Sequence, residues 1–241
     1  MQIIHSKLLK QFKNLTQGFT TKQNGNLAFH VGENKEAVIQ NHKALAKELG
    51  YHYETLIHME QIHSNKCRVV KISDDFFHPP RCDALITDKK YTPLMVMVAD
   101  CSPILFYDAQ QEIIAVAHAG RAGTFSNIIH NVVKNFQDNY HSLTEDIFVS
   151  IGASIGECCY EVGEEIVTEA EALSLSYSIS KRENSYYLNI SKILHTQLLN
   201  AGIQEQNIEF INECSCCNQK SYYSYRGEGK TGRFAGVLML K

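Results

Sequence analysis

A chain of 241 residues, 44% of them hydrophobic, is long enough to bury a sizeable core without a second domain, and one domain over 1–241 is expected. Its formal charge of −3, with no run of Lys and Arg, removes the electrostatic reason to expect nucleic acid or an anionic membrane as a partner. A small-molecule ligand is what remains.

The opening MQIIHSKLLKQFKNL is broken every few positions by Lys, Gln or His, so it lacks the continuous apolar core of a secretion signal. No segment reaches the roughly 18 apolar residues of a membrane-spanning helix. A cytoplasmic location is the expectation, and with it reduced thiols. The eight cysteines must then pack, bind metal or react.

Lys35 to Leu49 has apolar residues near helical spacing and is followed by Gly50, so a helix is predicted there. HMEQIHSN reads as a turn leading into a strand, KCRVVKI, over 66–72. Leu94 to Ala99, Ile104 to Tyr107 and Ile113 to Ala117 are short apolar runs separated by turn residues, hence three buried strands. Thr124, as an N-capping hydroxyl, opens a helix in which Ile128, Ile129, Val132, Val133 and Phe136 form the apolar stripe. A strand at 146–152 and helices at 163–173 and 190–202 follow, the last closed by Gly202. Strands return around IEFIN, SYYSYR and FAGVLML. With four prolines, no low-complexity tract and no strict βαβ alternation, the pattern predicts an α+β fold with a mixed or antiparallel sheet core flanked by helices.

The second and third apolar strands each adjoin a reactive residue. A hairpin turning at Asp108 to Gln111 would pair Ile104 with Ala115 and, continued, place Cys101 opposite His118. Opposed Cβ atoms lie roughly 4.5–5.5 Å apart, close enough for one metal ion or one hydrogen bond to join the side chains. A thiolate and an imidazole suit zinc, whose catalytic sites take three protein ligands and keep one position open. His63, in the turn before the strand at 66–72, is the best-placed third ligand; His30, His58 and His130 are less well placed. Two other readings stay open: Cys101 as a packed core thiol, and Cys101 as a nucleophile with His118 as its base.

Around this pair, HAGRAGT joins a strand to a helix, with Gly120 and Gly123 allowing close backbone approach and Arg121 offering a fork of donors to phosphate or carboxylate. SYYSYRGEGKTGR interleaves tyrosines with basic residues, so Tyr225 and Arg226 are candidates to stack a base and hold an anion. GECCYEVG contributes Cys158, Cys159 and Tyr160. ECSCCNQ contributes Cys214, Cys216 and Cys217, a C-x-C-C spacing without the second ligand pair of a structural zinc site. These five cysteines are read as pocket lining or packing.

Taken in order, EQIHSN, CDALITD, VADCSPILFYD, AVAHAGRAGT, IGASIGECCYEVG and YYSYRGEGKTGR followed by FAGV resemble the successive blocks of the YfiH family, once labelled a multicopper polyphenol oxidase or laccase domain. The resemblance implies an α+β fold and a mononuclear zinc site at His63, Cys101 and His118. It further implies phosphorolysis of adenosine, inosine, guanosine or 5′-methylthioadenosine and deamination of adenosine, with nucleoside and phosphate as the partners. Asp100, beside the zinc cysteine, is the candidate general acid for the leaving base. The chain departs from the family pattern at Arg121, where Trp is usual, and in TTKQNGN from Thr20, where an arginine-rich block is usual. The competing readings are a copper-dependent phenol oxidase, which eleven scattered histidines without H-x-H pairs do not supply, a metal-free Cys/His hydrolase of a peptidoglycan precursor, and a nucleoside- or metal-binding protein without turnover.

Overall fold

A computed structural model describes residues 2–241. In chain order the elements are β1 (Ile3–Ile4), β2 (Leu15–Thr20), α1 (Lys35–Leu49), β3 (Cys67–Val69), β4 (Ala84–Thr87), β5 (Leu94–Val98), β6 (Ser102–Asp108) and β7 (Ile113–Ala119). Then come α2 (Arg121–Phe125), α3 (Ile128–Tyr140), β8 (Ile147–Ile151), β9 (Glu161–Val162), α4 (Glu164–Ala172), β10 (Ile179–Arg182) and β11 (Ser185–Leu188). The chain closes with α5 (Ile190–Asn200), β12 (Ile208–Phe210), α6 (Tyr225–Glu228) and β13 (Phe234–Leu240). This is the α+β architecture the pattern predicts.

A six-stranded mixed sheet runs β12-β8-β6-β7-β4-β3, and a four-stranded sheet runs β1-β2-β13-β5. The side-chain alternation of a strand sorts the core into layers. In β6, Ile104 and Phe106 face the helices and join Val132 and Phe136 of α3 and Leu194 of α5. Leu105 and Tyr107 point the other way, to meet Val96 of β5 and Leu238 of β13. In turn Met95 and Val237, on the far face of the smaller sheet, pack with Leu45 of α1. Helices, large sheet, small sheet and α1 therefore stack in four layers. Among the described residues no helix is long and apolar enough to cross a membrane.

Several local expectations change. The hairpin joining β6 and β7 pairs Asp108 with Ile113 and Pro103 with His118, two residues away from the predicted register. Asp108 stays in the strand because its side chain accepts the N–H groups of Gln110 and Gln111, and the loop is Ala109 to Glu112, with Glu112 left-handed at φ 52°. Thr124 is not the cap of the long helix. It lies inside the short α2, and α3 is capped by Asn127, whose φ of 56° breaks the helix and whose side chain accepts from His130 N–H. SYYSYR is not a strand, because Ser224 caps α6 and turns the chain there. The strand at 66–72 stops at Val69, leaving Ile72 96% exposed.

Candidate active site

The segment Ala99 to Cys101 carries the chain from the small sheet to the large one. Asp100 makes the turn with φ 84°, and Cys101 lies just before β6. His118 is near the end of β7, and His63, itself left-handed at φ 56°, comes from the loop before β3. One ligand atom from each of His63, Cys101 and His118 lies within 4.8 Å of the other two. The register error did not separate Cys101 from His118 because a shift of two residues preserves the face, whereas a shift of one would have reversed it.

Asp83, fully buried immediately before β4, organises this group. Its carboxylate accepts from the backbone N–H groups of His63 at 3.0 Å and Ser64 at 2.7 Å, from the Ser64 hydroxyl at 2.7 Å, and from His118 Nδ1 at 2.8 Å. The Asp83 carbonyl in addition accepts the His118 N–H at 2.7 Å. Burial alone would raise the Asp83 carboxyl, but the hydrogen bonds from His118 and Ser64 outweigh it and hold it at about 2. An ionised carboxylate can only accept, so His118 carries a proton on Nδ1, and the ring is held with Nε2 turned toward the centre.

The thiol and imidazole adjust each other. Burial would push Cys101 up, yet the two imidazoles, His118 foremost, bring it down to about 6. Burial would push His118 down, yet Cys101 and Asp83 raise it to about 9. At neutral pH Cys101 is therefore a thiolate, the form that coordinates metal or attacks. Gly120 closes over the centre: a Cβ there would stand 2.9 Å from Cys101 Sγ and 3.3 Å from His63 Cδ2. A larger residue would force the sulfur or the backbone at Gly120 to shift.

The three residues open onto a cavity of about 630 Å³, within the range of small-molecule sites. Met59, Met97, Ile155 and Ile190 make its apolar wall, and Tyr160 and Tyr225 present rings to it. All the site residues foreseen from sequence line it: His63, Asp100, Cys101, His118, Arg121, Tyr225 and Arg226. Three of them are engaged elsewhere. Arg121 is ion-paired with Glu169, Arg226 donates to the carbonyls of Cys159 and Glu161, and both Asp100 oxygens accept, from Ser215 Oγ at 2.7 Å and Arg226 N–H at 2.6 Å.

Asp83 and Gln61 support the site more than the sequence suggested, and Arg233 and His30 also line the cavity. Gln61 pairs through its amide with both backbone groups of Met97 and so anchors the loop that presents His63. Asp83 was visible only as one letter of CDALITD; the signal available was an acid placed directly before an apolar strand, where burial demands partners. The altered segment TTKQNGN lies outside the cavity wall, with Thr21 and Asn24 capping one another and Lys22 paired with Glu228.

The chain resembles known proteins over most of its length. The family model described as multi-copper polyphenol oxidoreductase laccase matches residues 13–241. A protein named purine nucleoside phosphorylase YlmD from Geobacillus stearothermophilus is 32% identical, over 94% of this chain and 90% of that one. A purine nucleoside phosphorylase from Corynebacterium glutamicum is 34% identical, over 92% and 93%. The crystal structure of the Bacillus licheniformis hypothetical protein YfiH superposes with a TM-score of 0.90 at 29% identity, covering 97% of this chain and 94% of that one. The chain belongs to the laccase-like family of YfiH proteins.

Proposed function

We propose that the protein is a zinc-dependent enzyme of purine nucleosides whose main reaction is phosphorolysis. The observation that carries this reading is the convergence of one thiolate and two imidazoles on a cavity floor, with the His118 ring held in one orientation by Asp83. The donor set fits zinc: three protein ligands of suitable softness, a carboxylate behind one imidazole, and a side open to the cavity. His63, Cys101 and His118 would hold it. When bound, the ion supplies concentrated positive charge for phosphate, or for a water made acidic enough to deaminate adenosine.

The chain's own residues supply the rest. Met59, Met97 and the rings of Tyr160 and Tyr225 offer a purine apolar and stacking surface. Burial, and then the nearby thiolate, push the Tyr160 phenol up, so it stays a hydrogen-bond donor. Arg121 is a cation of the cavity wall whose partner is weakly held: its ion pair with Glu169 has side chains 30% and 44% exposed, and such a pair is worth at most about 1 kcal/mol. Phosphate can displace that carboxylate at little cost. In phosphorolysis a phosphate oxygen bonds the ribose anomeric carbon as the bond to the purine nitrogen breaks, and holding both reactants in line is the main gain. Asp100, with both oxygens occupied, holds the Arg226 segment in place.

The relatives named purine nucleoside phosphorylase support this reading. Oxidation by several coppers is not favoured, because among the described residues the only other group able to hold a metal is made of cysteines alone, without the clustered histidines such a centre needs. The test is to incubate the purified protein with adenosine, with and without phosphate, and to identify the products. Base and ribose 1-phosphate should form only with phosphate, inosine without it, and neither with Cys101→Ala. Full turnover by that variant would end the proposal.

A further inference from the structure

On the loops behind the cavity four further sulfurs come together. The C-x-x-C spacing of Cys214 and Cys217 supplies one pair, and Cys158 with Cys159 supplies the second pair that the sequence reading did not find. All four Sγ atoms lie within 4.8 Å of one another, with Cys217 3.5 Å from Cys158 and 3.3 Å from Cys159. Adjacent residues of a strand point apart, but Cys158 and Cys159 sit in a turn closed by the N–H groups of Cys159 and Tyr160 on the Gly156 carbonyl, so both reach the same point.

We propose that Cys158, Cys159, Cys214 and Cys217 form a second metal centre, a tetrathiolate site for one zinc ion, separate from the cavity. Four sulfurs at about 2.3 Å from a tetrahedral zinc stand about 3.8 Å apart, close to the separations here, whereas a disulfide requires about 2.05 Å. The loops are shaped around the sulfurs. Cys214 Sγ accepts the N–H groups of Gly156 at 3.2 Å and Cys217 at 3.4 Å, bonds that favour a thiolate. A Cβ on Gly156 would stand 3.1 Å from Cys158 Sγ and 3.3 Å from Cys214 Cβ, so a side chain there would press on both cysteines. Cys158 and Cys217 are exposed, which leaves the ion a way in. Binding releases thiol protons to solvent and involves no change of oxidation state.

The site has a use in the fold. Ser215, between the ligands of one pair, donates to Asp100; the carbonyl of Cys159, in the other pair, accepts from Arg226. A cation joining the pairs clamps both sides of the cavity rim. The proposal rests on the sulfurs and not on the nucleoside reading.

The test is zinc content by elemental analysis, with native-state alkylation of the thiols. Wild type should carry about two zinc ions per chain, Cys101→Ala about one and Cys217→Ser about one. The cobalt-substituted Cys101→Ala protein should show the charge-transfer absorption of cobalt bound to thiolate. In wild type the four cysteines should resist alkylation until a chelator is added, a readout that stands even if Cys217→Ser fails to fold. Alkylation at the same rate with and without chelator, disulfides found by mass spectrometry, folded Cys101→Ala without zinc, or stoichiometric iron would each overturn the assignment.

Discussion

Asp83 and His118 are joined twice, side chain to side chain at 2.8 Å and backbone to backbone at 2.7 Å, while Asp83 also accepts the His63 N–H. One buried carboxylate thus sets the orientation of two of the three proposed ligands. Asp83→Asn keeps the shape but replaces an ionised acceptor with an amide, which can pair with His118 in either tautomer. A loss of zinc affinity of about 10- to 100-fold follows from removing such a partner. Competition with a chromophoric chelator measures it, and unchanged affinity would show that Asp83 serves folding alone.

Gly120 has φ −79°, a conformation any residue adopts, so substituting it tests space and not backbone strain. In Gly120→Ala the new methyl carbon would lie 2.9 Å from Cys101 Sγ, about 1 Å inside ordinary contact. The sulfur or the helix start must move. The variant should fold with near wild-type stability and lose zinc from the cavity site together with turnover. Wild-type zinc content in a folded Gly120→Ala protein would show that the sulfur has room to retreat.

Asp100 separates two roles that the sequence leaves together. A general acid should lose roughly 10²- to 10⁴-fold in kcat when made Asn, with one limb of the pH profile removed. A positioning residue behaves otherwise, since Asn tolerates the left-handed φ of 84° and keeps one acceptor. Asp100→Asn should therefore lose less than about tenfold in kcat with its pH profile intact, while Asp100→Ala, which loses both acceptors, should suffer more. A lost pH limb in the Asn variant would restore the general-acid role.

The grouping of the site residues was legible in the sequence where the strand register was not. Cys101, His118 and His63 were legible because each ends or precedes an apolar strand, and strand parity survives a register shift of two. The cap of α3 was misplaced because Thr124 and Asn127 are both good capping residues, and only packing decides that Thr124 is buried inside α2. The partners of Asp83 and the pairing of Cys158 and Cys159 with Cys214 and Cys217 were not legible, because they depend on contacts between segments far apart in the chain, the last more than fifty residues apart. The strands β10 and β11, half-exposed and mixed in polarity, give too weak an alternation to read.

Away from the site, His42, on the buried face of α1, and His58 stand in the core around Phe76, with ring centroids 4.9 and 5.3 Å from it. Burial brings His42 down to about 4 and lowers His58 as well, against the opposing effect of hydrogen bonds to the carbonyls of Leu27 and Phe76. In the unfolded chain both titrate near 6.5, so between pH 6.5 and about 4 the unfolded state binds protons that the folded state refuses. Stability should therefore fall as pH drops through that window, by on the order of 3 kcal/mol for His42 alone, and level off below it. Urea unfolding of wild type and His42→Gln at pH 7 and pH 5 isolates the effect, because glutamine can still donate to Leu27 but cannot titrate. The fall between the two pH values should shrink in the variant. An equal fall in both proteins would mean that His42 takes up its proton without leaving the core.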